Sequence, residues 1–75
     1  MQYWLCGFKW GHGNVLIGKY DTLEQAKIGM DRVDPDEYEY ADIIETEWQK
    51  QPRWVCSVDF EYDRNKTVVK RRVTK

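Results

Sequence analysis

Arg53-Trp54-Val55-Cys56-Ser57-Val58-Asp59-Phe60-Glu61-Tyr62 alternates along its whole length. Trp54, Cys56, Val58, Phe60 and Tyr62 fall on one side, and Arg53, Ser57, Asp59 and Glu61 on the other. A period of two, written in aromatic and β-branched residues, is the signature of a strand with one buried face. Asp63-Arg64-Asn65-Lys66 then supplies turn residues, and 67–74 reads as the returning strand of a hairpin. That last strand carries Lys70, Arg71 and Arg72, with Lys75 just beyond it. Such charge is typical of a protected sheet edge.

The same pattern occurs near the start of the chain. Gln2 to Trp10 places Trp4, Cys6, Phe8 and Trp10 on one side, and Gly11-His12-Gly13-Asn14 offers residues that tolerate positive φ. Val15 to Tyr20 is then the second arm of a first hairpin. The order Trp-aliphatic-Cys-small-apolar-charged-aromatic appears in both Trp4–Trp10 and Trp54–Phe60. Two such strands side by side would make an aromatic-rich core.

Between the hairpins, Asp21-Thr22 opens a helix. Asp21 with Glu24, or Thr22 with Gln25, has capping-box spacing, in which side chains satisfy the first helical N–H groups. Leu23, Ala26 and Met30 form its apolar stripe, and Gly29 costs it about 1 kcal/mol relative to Ala. It should end near Val33. Asp34-Pro35-Asp36-Glu37 is a good second helix start, with a cap, a Pro and early acids. As a helix, the following residues group Tyr40, Ala41, Ile44 and Trp48. As a strand they group Tyr38, Tyr40, Ile44, Thr46 and Trp48, with Asp42 the one defect. The β-rich run Ile-Ile-Glu-Thr-Glu-Trp favours a strand over Ala41–Trp48, and Pro52 marks the turn after it.

At 75 residues and 9.1 kDa the chain is one domain, 1–75. The expected fold is α+β, an antiparallel β-sheet with one covering helix in the order ββαβββ, or ββααββ if 36–49 is helical. The helix should cover the aromatic face. Expected core residues are Trp4, Cys6, Phe8, Leu16, Leu23, Ala26, Met30, Ile44, Trp54, Cys56, Val58 and Phe60.

Most chemistries lack their residues. One histidine and two cysteines fifty positions apart give no zinc-type ligand spacing, and residues 31–37 lack the pattern of a calcium loop. Cys6 and His12, six residues apart on an extended strand, would be about 20 Å apart and cannot act together. Gly11-His12-Gly13 precedes a strand where a dinucleotide site needs a helix. The chain is therefore expected to be no enzyme, with no cofactor and no metal. A secretory leader or membrane span is not visible, so a cytoplasmic location with reduced thiols is expected.

Charge is segregated although the net is −1. Residues 31–48 set Arg32 against Asp31, Asp34, Asp36, Glu37, Glu39, Asp42, Glu45 and Glu47, while 49–75 carry eight bases against Asp59, Glu61 and Asp63. Together with abundant Trp and Tyr, the residues enriched at interface hot spots, this points to a small protein-binding module. Its expected contact surface is Asp34, Asp36, Glu37, Tyr38, Glu39, Tyr40, Glu45 and Glu47, facing another protein. Accessory inhibitors of phages and mobile elements are often domains of this kind. Nucleic-acid binding through Lys66, Lys70, Arg71, Arg72 and Lys75 is the second reading, and a homodimer pairing the basic strand with the acidic segment the third. Ile17-Gly18-Lys19-Tyr20-Asp21-Thr22-Leu23-Glu24-Gln25-Ala26 resembles the strand-to-helix turn of integrase-arm DNA-binding domains. Those place three strands before the helix, here two precede it, and the acidic stretch that follows would repel phosphate. No function is carried over from them.

Overall fold

Gly11 and Gly13 take φ of +84° and +77°, and the His12 N–H donates to the Lys9 carbonyl at 3.0 Å, so the chain reverses after its first strand. The computed structural model describes residues 1–65 and 68–74. Among them the elements are β1 (Gln2–Lys9), β2 (Gly13–Tyr20), α1 (Leu23–Asp31), β3 (Tyr40–Thr46), β4 (Arg53–Tyr62) and β5 (Val68–Thr74). All strands pair antiparallel in one sheet of order β2-β1-β3-β4-β5. This is the α+β order ββαβββ, with β3 as the central strand.

Thr22 caps α1 from an extended conformation, its hydroxyl accepting the Gln25 N–H at 3.2 Å. The helix start foreseen at Asp34 is realised as a single turn. Asp34 accepts the Asp36 N–H on its carboxylate and the Glu37 and Tyr38 N–H groups on its carbonyl, all within 3.0 Å. The turn stops because the Tyr38 ring lies on Gly7 and the Glu39 N–H donates to the Phe8 carbonyl at 2.9 Å. Residues 40–46 are thereby delivered into the sheet rather than into a second helix.

The core consists of Leu5, Ala26, Met30, Val33, Ala41, Ile43, Cys56, Val58 and Phe60. Leu23, Ile17, Tyr20, Tyr38 and Val55 pack at its margin. The helix therefore covers the aliphatic face of the sheet, and the expectation that it would cover the aromatic face is overturned. Trp4, Cys6, Phe8, Leu16, Ile44 and Trp54 are not core residues; all lie on the side away from α1. Bulk is the reason. The helix presents Ala26 and Met30 to the sheet, and the Tyr20 ring fits against Gly29, where a Cβ would stand 2.8 Å from its Cζ. A helix seated that closely needs small and aliphatic partners beneath it, and Leu5, Ala41 and Ile43 supply them, while Gly7 makes room for Tyr38 and Ile17.

A bulge then divides β4 between the two faces. Ile43 is opposite Cys56 but Ile44 is opposite Trp54, so Val55 is the extra residue. One inserted residue reverses the faces on either side of it. Cys56, Val58 and Phe60 point to the helix, whereas Trp54 points away. β1 carries no extra residue where it pairs with β3, so Trp4 and Cys6 stay together on the open side. The matching strands do not lie side by side either, since β3 runs between them.

Candidate functional site

The molecule measures 45 × 25 × 17 Å. Its thin dimension holds a sheet and one layer above it, and among the described residues no element covers the opposite sheet face. Cross-strand register orders that face into rows. One row is Trp4, Ile44 and Trp54, the next Cys6, Asp42 and Ser57, and the third Phe8, Tyr40 and Asp59. Lys19, Leu16 and Asn14 of β2 extend the rows past β1. Successive rows are about 7 Å apart and neighbouring strands about 4.8 Å. A polar central row is thus flanked by aromatic rows, with Asp42 at its middle on the middle strand.

The rings are held by one another and by their neighbours. Phe8 and Tyr40 stack with centroids 5.1 Å apart and planes at 27°. The Trp4 indole N–H donates to Gln2 Oε1 at 3.3 Å, and the Lys19 ammonium sits 4.8 Å above the Trp4 ring. The Trp54 indole lies beside the Asp42 carboxyl, which it helps to keep ionised. Trp54 remains 49% exposed and Leu16 46%, values that mark them as available surface rather than core. At one end the face runs into a groove of about 380 Å³ between Met1, Trp4, Thr46 and Trp48.

Asp42 and Cys6 titrate abnormally because of this setting. Burial raises the Asp42 carboxyl above its usual range, and the Trp54 indole beside it opposes that rise in part. Burial also raises the Cys6 thiol, assisted by the negative charge of Asp42. A raised thiol is a poor nucleophile, and a half-buried carboxylate beside aromatic rings binds cations better than a solvated one does. Among the described residues, no group of three or more His, Cys, Asp or Glu could hold a metal ion. Cys6 is half-buried on the open face and Cys56 is buried on the helix face, so the two thiols are separated by the sheet.

The structure distributes the acidic and tyrosine residues singled out in the sequence. Asp34, Glu37 and Tyr38 line a groove of about 610 Å³ between α1, β2 and the turn before β3, together with Ile17, Tyr20 and Ile28. Glu37 is paired with Lys9 at 3.1 Å, and Tyr38 packs at the core margin under the Lys9 ammonium. Asp36 and Glu39 are exposed on the same turn. Tyr40 faces the opposite side of the sheet. Glu45 pairs in register with Tyr3 and Arg53 on the helix side, and Glu47 forms an exposed ion pair with Lys50 at 3.1 Å. These eight residues do not form one patch. Asp42, passed over as a flaw in the strand pattern, is the acid placed among the aromatic rings.

Of the basic residues at the C-terminus, Lys66 and Lys75 lie outside the described residues, as do the side chains of Lys70 and Arg72. Arg71 is engaged within the fold. Its guanidinium donates to the carbonyls of Asp31 and Val33, the latter at 2.9 Å, and stacks 5.2 Å from the Phe60 ring centroid. It thereby satisfies carbonyls at the end of α1, where a cation also complements the helix dipole. Among the described residues no helix is long and apolar enough to cross a membrane. No protein-family model, curated protein or solved structure matches this chain, so its function is read from its own residues.

Proposed function

We propose that this chain is a non-enzymatic, cytoplasmic protein-binding module that docks through the open face of its sheet onto a basic surface of another protein. The observation that carries this reading is the uncovered aromatic field of Trp4, Phe8, Tyr40 and Trp54 around the Asp42 carboxylate. Trp and Tyr provide large, stiff contact area at low entropy cost and dominate interface energetics. Axes of 45 and 25 Å bound a face on the order of 1,000 Å², enough for a standard interface of about 800 Å² per partner.

Charge favours a basic protein over the other occupants. Asp42 stands at the centre of the face, while Lys19 and the register positions of Lys70 and Arg72 lie at its two edges, so a cation is preferred at the centre and a phosphate backbone crossing Asp42 would be repelled. Two copies packed face to face about the centre would set Asp42 against Asp42, and like charges brought together out of water are costly.

The reading is tested by affinity capture from nuclease-treated lysate of the source cells, using the tagged wild type, Trp54→Ser, and a Glu45→Gln/Glu47→Gln variant. A stoichiometric protein held by the wild type and the double variant but lost with Trp54→Ser is the expected result. No captured protein, or capture indifferent to Trp54→Ser, overturns it. Self-capture alone would transfer the face to a homodimer.

A further inference from the structure

We infer that Asp42 is the seat for a single arginine side chain of the partner, with the guanidinium paired to the carboxylate and flanked by the aromatic rows. This rests on the docking reading above and specifies what the face recognises. Asp42 lies at the centre of the central strand, between Cys6 and Ser57 across the rows, and the next rows along the strand are Trp4-Ile44-Trp54 and Phe8-Tyr40-Asp59. The site therefore has an anionic floor and aromatic walls. A guanidinium is planar, can bind both carboxylate oxygens and stacks on aromatic faces at the same time, whereas an ammonium does only the first as a point charge. The Ser57 hydroxyl, beside Asp42 in the same row, can accept a further N–H.

The chain shows the same chemistry twice within its own fold. Lys19 already places a cation 4.8 Å above Trp4 on this face, and Arg71 stacks on Phe60 at 5.2 Å on the other. At Asp42 the charge is left facing outward. The Trp54 indole lies beside it, and burial raises its pKa. A carboxylate kept in a place where its charge is disfavoured, between Tyr40 and Ile44 on the same face of its strand, departs from the local pattern. Such departures concentrate at functional positions.

The test is an amide and indole N–H NMR titration of the full chain with Ac-Gly-Arg-Gly-amide and with its citrulline counterpart, which has the same shape and no charge. The expected result is a shift of the Trp54 indole N–H and of amides 41–43 and 57 with the arginine peptide, in the weak, roughly millimolar range of one side chain. The citrulline peptide, and the Asp42→Asn variant with the arginine peptide, should bind at least tenfold more weakly. An Asp42→Asn spectrum otherwise superimposing on wild type confirms that the fold is kept. No shift with the arginine peptide, equal shifts with citrulline, or shifts unaffected by Asp42→Asn overturn the assignment. The captured partner separates this inference from the one beneath it. Loss with Trp54→Ser but not with Asp42→Asn removes the arginine seat and leaves the docking face, while retention by both variants removes both.

Discussion

The two faces of this sheet are built from the same strands and have opposite uses. Under α1 the side chains are small or aliphatic, and Leu5, Ile43, Val58 and Cys56 are fully buried. On the other side they are mostly aromatic or polar, and none of Trp4, Phe8, Tyr40, Ile44 or Trp54 is fully buried. The difference teaches where stability and recognition are separated in a small domain. Close packing of aliphatic groups against a short helix stabilises the fold. Phe60 and the rings of Tyr3, Tyr20 and Tyr38 pack on the helix side, whereas those of Trp4, Phe8, Tyr40 and Trp54 are left on the other, where they can meet a partner. The 9-residue helix is about 14 Å long and cannot span the width of the sheet. Arg71 and the Tyr62 hydroxyl, which donates to the Pro35 carbonyl at 2.8 Å, extend the cover on that side by tying down the loop after it.

The strongest way to break the contrast is to truncate one residue on each side. Leu5→Ala or Ile43→Ala should cost about 2–5 kcal/mol, enough to unfold much of a small domain at room temperature. Leu16→Ala, on the open face and 46% exposed, should cost under about 1 kcal/mol. Urea denaturation followed by tryptophan fluorescence measures both, and comparable losses would mean the open face is part of the core. Next in size is Gly29→Ala. Helix propensity alone predicts a gain of about 1 kcal/mol, but a Cβ placed against the Tyr20 ring should reverse the sign to a net loss of about 1–3 kcal/mol. A stabilised Gly29→Ala would show that the close seat of the helix is not required.

Arg71→Met keeps the apolar stem and removes the donors to the Asp31 and Val33 carbonyls. It should lower stability by about 1–2 kcal/mol. If the midpoint is unchanged and affinity for nucleic acid falls instead, Arg71 belongs to an outward-facing basic strand after all. The smallest effect is expected at Asp42, and it has a definite sign. The folded-state pKa lies above the unfolded value, so the native state binds more protons between the two. Stability at this site therefore declines as pH rises through that interval, and the penalty persists at neutral pH. Asp42→Asn should be slightly more stable than wild type at pH 7, with the advantage fading as the pH is lowered toward the unfolded value. Thermal melts at several pH values would show this convergence, and parallel curves would contradict it.

Strand β4 illustrates how much was legible in the residues. Its length and ends follow from Arg53–Tyr62 and the hairpin from the turn residues after it, because alternation and turn residues are local properties. What alternation cannot express is the bulge at Val55. Trp54 and Cys56 read as neighbours on one face, and an insertion that depends on pairing with Ile43 and Ile44 puts them on opposite faces. For β3 the limits differ. Residues 34–37 carry a true helix-start signal, and one helical turn forms, but the Phe8 carbonyl and Gly7 capture the chain immediately afterwards. The acidic residues picked out by composition are real surface, yet composition has no geometry. It could not distinguish Glu37, already paired with Lys9, from Asp42, set among rings.

The amino-acid sequence by itself determined the hairpins, the capped helix and, within each unbroken stretch of strand, which residues share a face; it left ββαβββ and ββααββ both open. These depend on periods of two and near 3.6 and on residues that favour turns and caps, all of them interactions between chain neighbours. Only the tertiary structure decided which face of the sheet α1 would cover, and hence which residues would be core and which would be surface. That choice depends on how closely a helix can approach a sheet and on a bulge created by strand pairing, and both involve residues far apart in the chain.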